Sequence, residues 1–141
     1  MARIKLDLPD SLPFSTEIPI RISDINYGGH LGHDAILPIA HEARIHFLAS
    51  MGYNEGDIEG LTYIMSDAAI VYKSQAFHGQ TLTVEVGVQD FGRTSCDFVY
   101  RLRDRETGVE IARARTGMVF FDYRAGKSVE VPPEFRERFS E

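Results

Sequence analysis

The chain has 141 residues, 43% hydrophobic and 26% charged, with a net charge of −6 and one cysteine. That length suits one domain around one core, and the acidic balance argues against nonspecific nucleic-acid binding, which needs clustered Lys and Arg to neutralise phosphates. The lone Cys96 excludes an intramolecular disulfide and a multi-cysteine metal cage. No window is long and apolar enough to span a bilayer, and the opening MARIKLDLPDSLPF lacks the apolar core of a secretory signal. The expectation is a cytoplasmic chain with no integral membrane segment, folded as one domain over residues 1–141.

Residues 16–23, TEIPIRIS, alternate polar and apolar and predict a first strand. A polar, glycine-rich stretch follows, ISDINYGGHLGHDAI at 22–36. From Ala35 to Met51 the apolar Ile36, Ile39, Ala40, Ala43, Phe47 and Met51 recur at spacings of three and four, the stripe of a helix. Asp34 is the expected N-cap and Gly52 the C-terminal cap. Pro38 is comfortable only within a first turn, so the regular helix begins a residue or two after Asp34 or bends there. Four strands are predicted next, at 62–74, 81–89, 96–102 and 111–123. The connections HGQ, DFGR and ETG read as hairpin turns, so the strands form an antiparallel meander. A short helix in VPPEFRERF closes the chain. Cys96 falls within a strand alternation and is expected to pack inertly. Arg101, Arg103, Arg113 and Arg115 share strand spacing and read as a solvated sheet face paired with neighbouring acids, the alternatives being a phosphate-bearing ligand or a partner protein. One long helix and about five strands imply an α+β domain whose sheet curls around the helix. A long strand such as 62–74, left at an edge, would pair with a second copy, which predicts a homo-oligomer.

Three chemistries compete for the polar loop. His30 and His33 with Asp24 or Asp34 could ligate a metal, although His-x-x-His in a glycine-rich loop fixes no geometry. Glycines before a helix could cradle phosphate, although YGGHLG fits neither the dinucleotide fingerprint nor the P-loop. Backbone N–H groups of the helix N-terminus could instead stabilise an oxyanion while a nearby carboxylate activates water or attacks. Against all three stands a bland reading in which Asp24, Asn26 and the glycines shape a turn and cap the helix.

The stretch RISDINYGGHLGHDAILPIAHEARIHFLASMGY resembles the opening of hotdog-fold acyl-CoA thioesterases of the 4-hydroxybenzoyl-CoA thioesterase family. Those run strand, Asp-x-Asp-x-x-Gly-His-like loop, then a helix with an acidic-Ala-Arg segment and a terminal glycine. Gly29-His30 and Glu42-Ala43-Arg44 fit that spacing, and IVYKSQAFHGQTLTV is similar to the family's tyrosine, loop, glycine and next strand. The resemblance spans about residues 15–125. It implies a hotdog fold, a helix wrapped by a curved antiparallel sheet, and a homodimer or homotetramer with sites between subunits. The implied substrate is an acyl-CoA or acyl carrier protein thioester, hydrolysed without metal or cofactor.

The departure falls on the chemistry. Where loop-carboxylate members carry the second aspartate, this chain has Asn26, and an amide takes no proton at neutral pH. Other hotdog thioesterases place the carboxylate on the helix, nine residues after a histidine, as Glu42 stands after His33; the bland alternative pairs Glu42 with His46 at i+4. Plant-type acyl carrier protein thioesterases use Asp-x-Asn-x-His. Asp24-Ile25-Asn26 reproduces its first half, with His30 two residues late. In that arrangement Asp24 or His30 activates water and Asn26 orients the substrate. Asp67, a carboxylate within an apolar strand, is a further candidate, since it must be exposed, hydrogen-bonded or pKa-shifted. By resemblance and helix dipole together, the backbone N–H near His33 is the expected oxyanion donor. Phe47, Met51 and Tyr53 are expected to pack the core and pocket floor. A non-hydrolytic thioester-binding protein, motivated by Asn26, and a hotdog dehydratase or hydratase remain as rivals.

Overall fold

The structure, a computed structural model, describes residues 3–139. Its elements are β1 (Phe14–Pro19), two 3-10 turns (Ile22–Asp24 and His33–Ala35), α1 (Ile36–Ser50), β2 (Thr62–Tyr72), β3 (Thr81–Gln89), β4 (Ser95–Asp104), β5 (Glu110–Asp122), the two-residue β6 (Lys127–Ser128) and α2 (Pro133–Glu137). The expected α+β hotdog arrangement is present: one long helix against one antiparallel sheet of five long strands.

The apolar stripe explains the packing. Ile36, Ile39, Ala40, Ala43 and Phe47 of α1 are buried against Leu82, Val84 and Val86 of β3, Phe98, Tyr100 and Leu102 of β4, and Ala112, Ala114, Met118 and Phe120 of β5. Burying this apolar surface is the main force holding helix to sheet. Phe135 of α2 closes the core's end, its ring 5.5 Å from that of Phe120 and 6.4 Å from that of Phe98. Met51 and Tyr53 pack at the margin of the same core. Cys96 is buried, and burial pushes its thiol up to about 12, the inert state expected.

Helix α1 ends as anticipated. Gly52 has φ +82°, its N–H donates to the Ala49 carbonyl, and the Tyr53 N–H donates to Leu48, the paired bonds of a Schellman motif. Its start meets the expectation of a regular helix beginning within two residues of Asp34, but not the expectation of Asp34 as the cap. Gly32, not Asp34, caps the 3-10 turn, and the α-helix begins at Ile36, which puts Pro38 in its first turn. The first strand also ends early, at Pro19. Residues 22–24 turn instead, because the Asp24 carboxylate accepts the Arg21 N–H.

The four-strand meander is corrected. Sheet order is β1-β3-β4-β5-β2, so only β3, β4 and β5 form a meander, and β2 lies beyond β5 as an edge strand. The segment around HGQ is therefore a crossover from one side of the sheet to the other. Ser66 is extra in β2, bulging between Met65 and Asp67, with its hydroxyl donating to the Gly117 carbonyl. Such a bulge adds twist and bends the edge around the helix.

On the outer face the arginines pair as the charge-pairing reading expected. Arg103 meets Glu85 at 3.1 Å, Arg115 meets Asp67 at 3.1 Å, and Arg101 lies 3.6 Å from both Glu85 and Glu110. Arg101 and Arg113 do something further. Their guanidinium groups donate to the carbonyls of Pro9 (2.7 Å) and Leu6 (3.0 Å), strapping the N-terminal segment across the sheet.

Candidate active site

The loop between β1 and α1 is folded by its own polar groups. Asp24, 7% exposed, accepts the Arg21 N–H at 2.8 Å and its guanidinium at 3.3 Å, while the Asp24 carbonyl accepts the Gly32 N–H. Asn26 closes the next turn. Its N–H donates to the His30 carbonyl (2.8 Å) and its Oδ1 accepts the His30 N–H (3.2 Å). Gly29 completes that turn at φ +89°, which a side chain would strain. His30 is held in turn by the crossover: its ring lies edge-on to Phe77, its Nε2 is 3.4 Å from the Gln75 amide, and the next residue's N–H donates to the Ala76 carbonyl. Asp24, Asn26 and His30 thus act together in shaping the loop.

That loop delivers the chain to the first turn before α1 at His33. The leading N–H groups of a helix have no intrahelical acceptor and lie at its positive end. The Tyr72 hydroxyl, at the end of β2, donates to the His33 carbonyl at 3.2 Å, and the two rings lie 4.8 Å apart. The helix start is therefore pinned beside the edge strand. Along the helix-facing side of that strand, Met65, Ala68 and Tyr72 are exposed and Ile70 is half-buried. Free backbone donors beside an uncovered apolar strip suit an acyl carbonyl and its chain.

The remaining candidates lie elsewhere. Glu42 is exposed and meets His46 at 3.3 Å, the i+4 pair of the bland reading, and the other nitrogen of His46 bonds Thr16 of β1 at 2.8 Å. Glu42 and Asp24 share a cavity of about 120 Å³ with Arg21 and Pro38, on the β1 side of α1. Asp67 is on the sheet's outer face, where hydrogen bonds from Arg115 hold its carboxyl below the usual range. Among the described residues, no group of three or more His, Cys, Asp or Glu is placed to hold a metal ion, and no helix is long and apolar enough to cross a membrane.

Sequence reasoning missed one cluster. Arg44, 4% exposed, donates to the hydroxyls of Tyr63 (2.8 Å) and Tyr100 (2.9 Å) and to Glu55 (3.2 Å). Tyr63 also donates to Glu55, and the other Glu55 oxygen meets His41 Nε2 at 2.7 Å. The available signal was Arg44 itself, a cation falling on the apolar stripe of the helix. Burial alone would raise the Glu55 pKa, but hydrogen bonds from Tyr63 and His41 and the charge of Arg44 hold it below the ordinary value. A carboxylate depressed in this way stabilises the fold fully above the unfolded-state glutamate pKa and loses that contribution as pH falls through the folded one. Urea midpoints should therefore fall more steeply below about pH 5 in the native protein than in Glu55→Gln.

A curled sheet around one helix, with donors at the helix start beside an uncovered edge strand, defines a hotdog-fold thioester hydrolase. The chain belongs to the Thioesterase-like superfamily, which it matches over residues 20–139. Among solved structures it shares its fold with a 1,4-dihydroxy-2-naphthoyl-CoA thioesterase from Synechocystis (20% identity, 89% of this chain and 94% of that one, TM-score 0.81). It shares it also with a thioesterase complexed with coenzyme A and Zn from Thermus thermophilus (21%, 93% and 95%, 0.79) and a DHNA-CoA thioesterase from Staphylococcus aureus (20%, 87% and 85%, 0.77). No curated protein sequence gives a significant match.

Proposed function

We propose that this protein is an acyl-CoA thioesterase that hydrolyses an acyl or aroyl thioester to free acid and CoA, working in the cytoplasm as one domain over residues 1–141. The observation that carries the reading is the first turn at His33, its carbonyl tied to Tyr72, opening beside the apolar edge of β2. The thioester carbonyl would lie at the His33 N–H, which stabilises the oxyanion formed when water attacks. The uncovered edge of β2 supports assembly as a homodimer or homotetramer. Coenzyme A in one structural neighbour and a CoA thioester in the name of another support CoA as the carrier, with acyl carrier protein as the alternative. The loop and helix spacing supports kinship with the 4-hydroxybenzoyl-CoA branch.

One observation favours a second reading, a protein that binds thioesters without cutting them. Asn26 carries no carboxylate and is committed to its turn, while both Asp24 oxygens are engaged by Arg21. Free-thiol release against short, long and aromatic acyl-CoAs near pH 7.5 decides. Turnover well above the spontaneous rate is expected. Tight binding with no release on any substrate would establish the binder instead.

A further inference from the structure

We infer that Asp34, in the turn that leads into α1, is the general base of the hydrolysis, its carboxylate activating water from the space that the missing side chain of Gly32 leaves. The inference rests on the thioesterase reading and supplies the base that Asn26 cannot be. The other carboxylates near the helix and β2 are engaged or misplaced. Asp24 is held by Arg21, Glu42 pairs with His46 toward β1, Asp67 faces the far side of the sheet, and Glu55 is bound by His41, Arg44 and Tyr63. Asp34 differs from them. It is exposed, and among the described residues its carboxylate has no hydrogen bond and no ion pair. Nor is it consumed in capping, because Gly32 takes that position.

Gly32 is what makes room for it. A methyl group on Gly32 would stand 2.5 Å from Asp34 Oδ1, closer than real Cβ contacts come, and 3.5 Å from both the Asn26 Cβ and the Asp24 carbonyl oxygen. The carboxylate is thus folded back over the loop, onto the spot where any other residue would put its Cβ. The backbone does not demand glycine here, since φ −71° and ψ 150° suit any residue. What crowds the spot is the side-chain end of Asp34. Gly32 is bonded directly to His33, so Oδ1 lies within about 6 Å of the His33 nitrogen. That reach accommodates one water, about 2.7 Å from the carboxylate and about 3 Å from the carbon of a carbonyl whose oxygen accepts the His33 N–H at about 2.9 Å. The NH₂ group of Asn26, not used in its turn, belongs to a side chain bordering the same spot and is available to orient that water.

The chemistry closes without another reactant. The Asp34 carboxylate takes a proton from water as the water oxygen bonds the thioester carbonyl carbon, and the oxyanion rests on the His33 N–H. Collapse of the tetrahedral adduct breaks the C–S bond, and the leaving thiolate takes the proton back from the Asp34 carboxyl. The products are CoA thiol and the free acid, with Asp34 a carboxylate again.

The test uses two variants of the full chain. Asp34→Asn should lower kcat about 10²–10⁴-fold with little change in KM, the span of a lost general base, and its urea midpoint should stay near native because the carboxylate holds no partner. Gly32→Ala probes the placement while leaving the acid in the chain. Its methyl displaces the carboxylate, the backbone accepts alanine, and kcat should fall about 10²-fold, the cost of misplacing a reacting group by about 1 Å. Native-like kcat in Asp34→Asn overturns Asp34 as the base, and so does a loss confined to KM, which would mark the acid as a binding group. Native-like kcat in Gly32→Ala overturns the placement over Gly32. No thiol release by the native protein on any acyl-CoA overturns the thioesterase reading and this inference with it.

Discussion

His33→Pro is expected to lower kcat by about 10²–10³-fold, the cost of losing one oxyanion-hole donor, while the protein melts within a few degrees of the native temperature. The substitution deletes a single N–H, and the backbone already suits it. Gly32 has φ −71° and ψ 150°, the extended region that a residue before proline adopts, and His33 opens the turn, where proline is well tolerated. His33→Ala is the control. It loses the ring packed on Tyr72 but keeps the N–H, and should retain kcat within a few-fold. Steady-state thiol release on the best substrate measures both. Equal losses would place the role in the imidazole, and native kcat in the proline variant would remove the helix start from the mechanism.

Arg44→Met is expected to destabilise the fold by about 3–5 kcal/mol, the range for breaking one side of a buried ionic network. Burial works against the charge of Arg44, yet Tyr100, Tyr63 and Glu55 around it hold its pKa above the ordinary value. Removing the guanidinium takes the buried cation from Glu55, which keeps Tyr63 and His41, and leaves the Tyr63 hydroxyl with only that carboxylate, while Tyr100 keeps Thr116 at 2.8 Å. Arg44→Lys should recover little, because an ammonium cannot fork to both tyrosines and the acid. Urea unfolding gives the difference directly. A loss under about 1 kcal/mol would mean that the tyrosines and Glu55 find other partners.

The helix was legible because its stripe is long and regular and Gly52 follows it; only the cap escaped, a 3-10 turn capped by Gly32 standing where Asp34 was expected. The position of β2 was not legible. Alternation tells which side of a strand is buried but not which strand lies next to it, and HGQ looks like a hairpin although the crossover around it runs from Tyr72 to Thr81. At the site, the helix start could be read from the glycines and the onset of periodicity. That Asp24 and Asn26 shape a turn was one of the readings; which groups engage their oxygens was not legible, because they include the main-chain N–H groups of Arg21 and His30. The His41–Glu55 pair joins residues fourteen apart, one of them in a loop without periodicity, and only the fold brings them together.

The N-terminal strap carries a consequence for how this chain can vary. Arg101 and Arg113 grip the carbonyls of Leu6, Pro9 and Asp10, atoms that every amino acid presents alike. Docking of this segment is thus encoded partly in the sheet, and partly in the half-buried Leu6, Leu8 and Leu12. At the gripped carbonyls the spelling can drift while the place is kept; at the leucines it cannot.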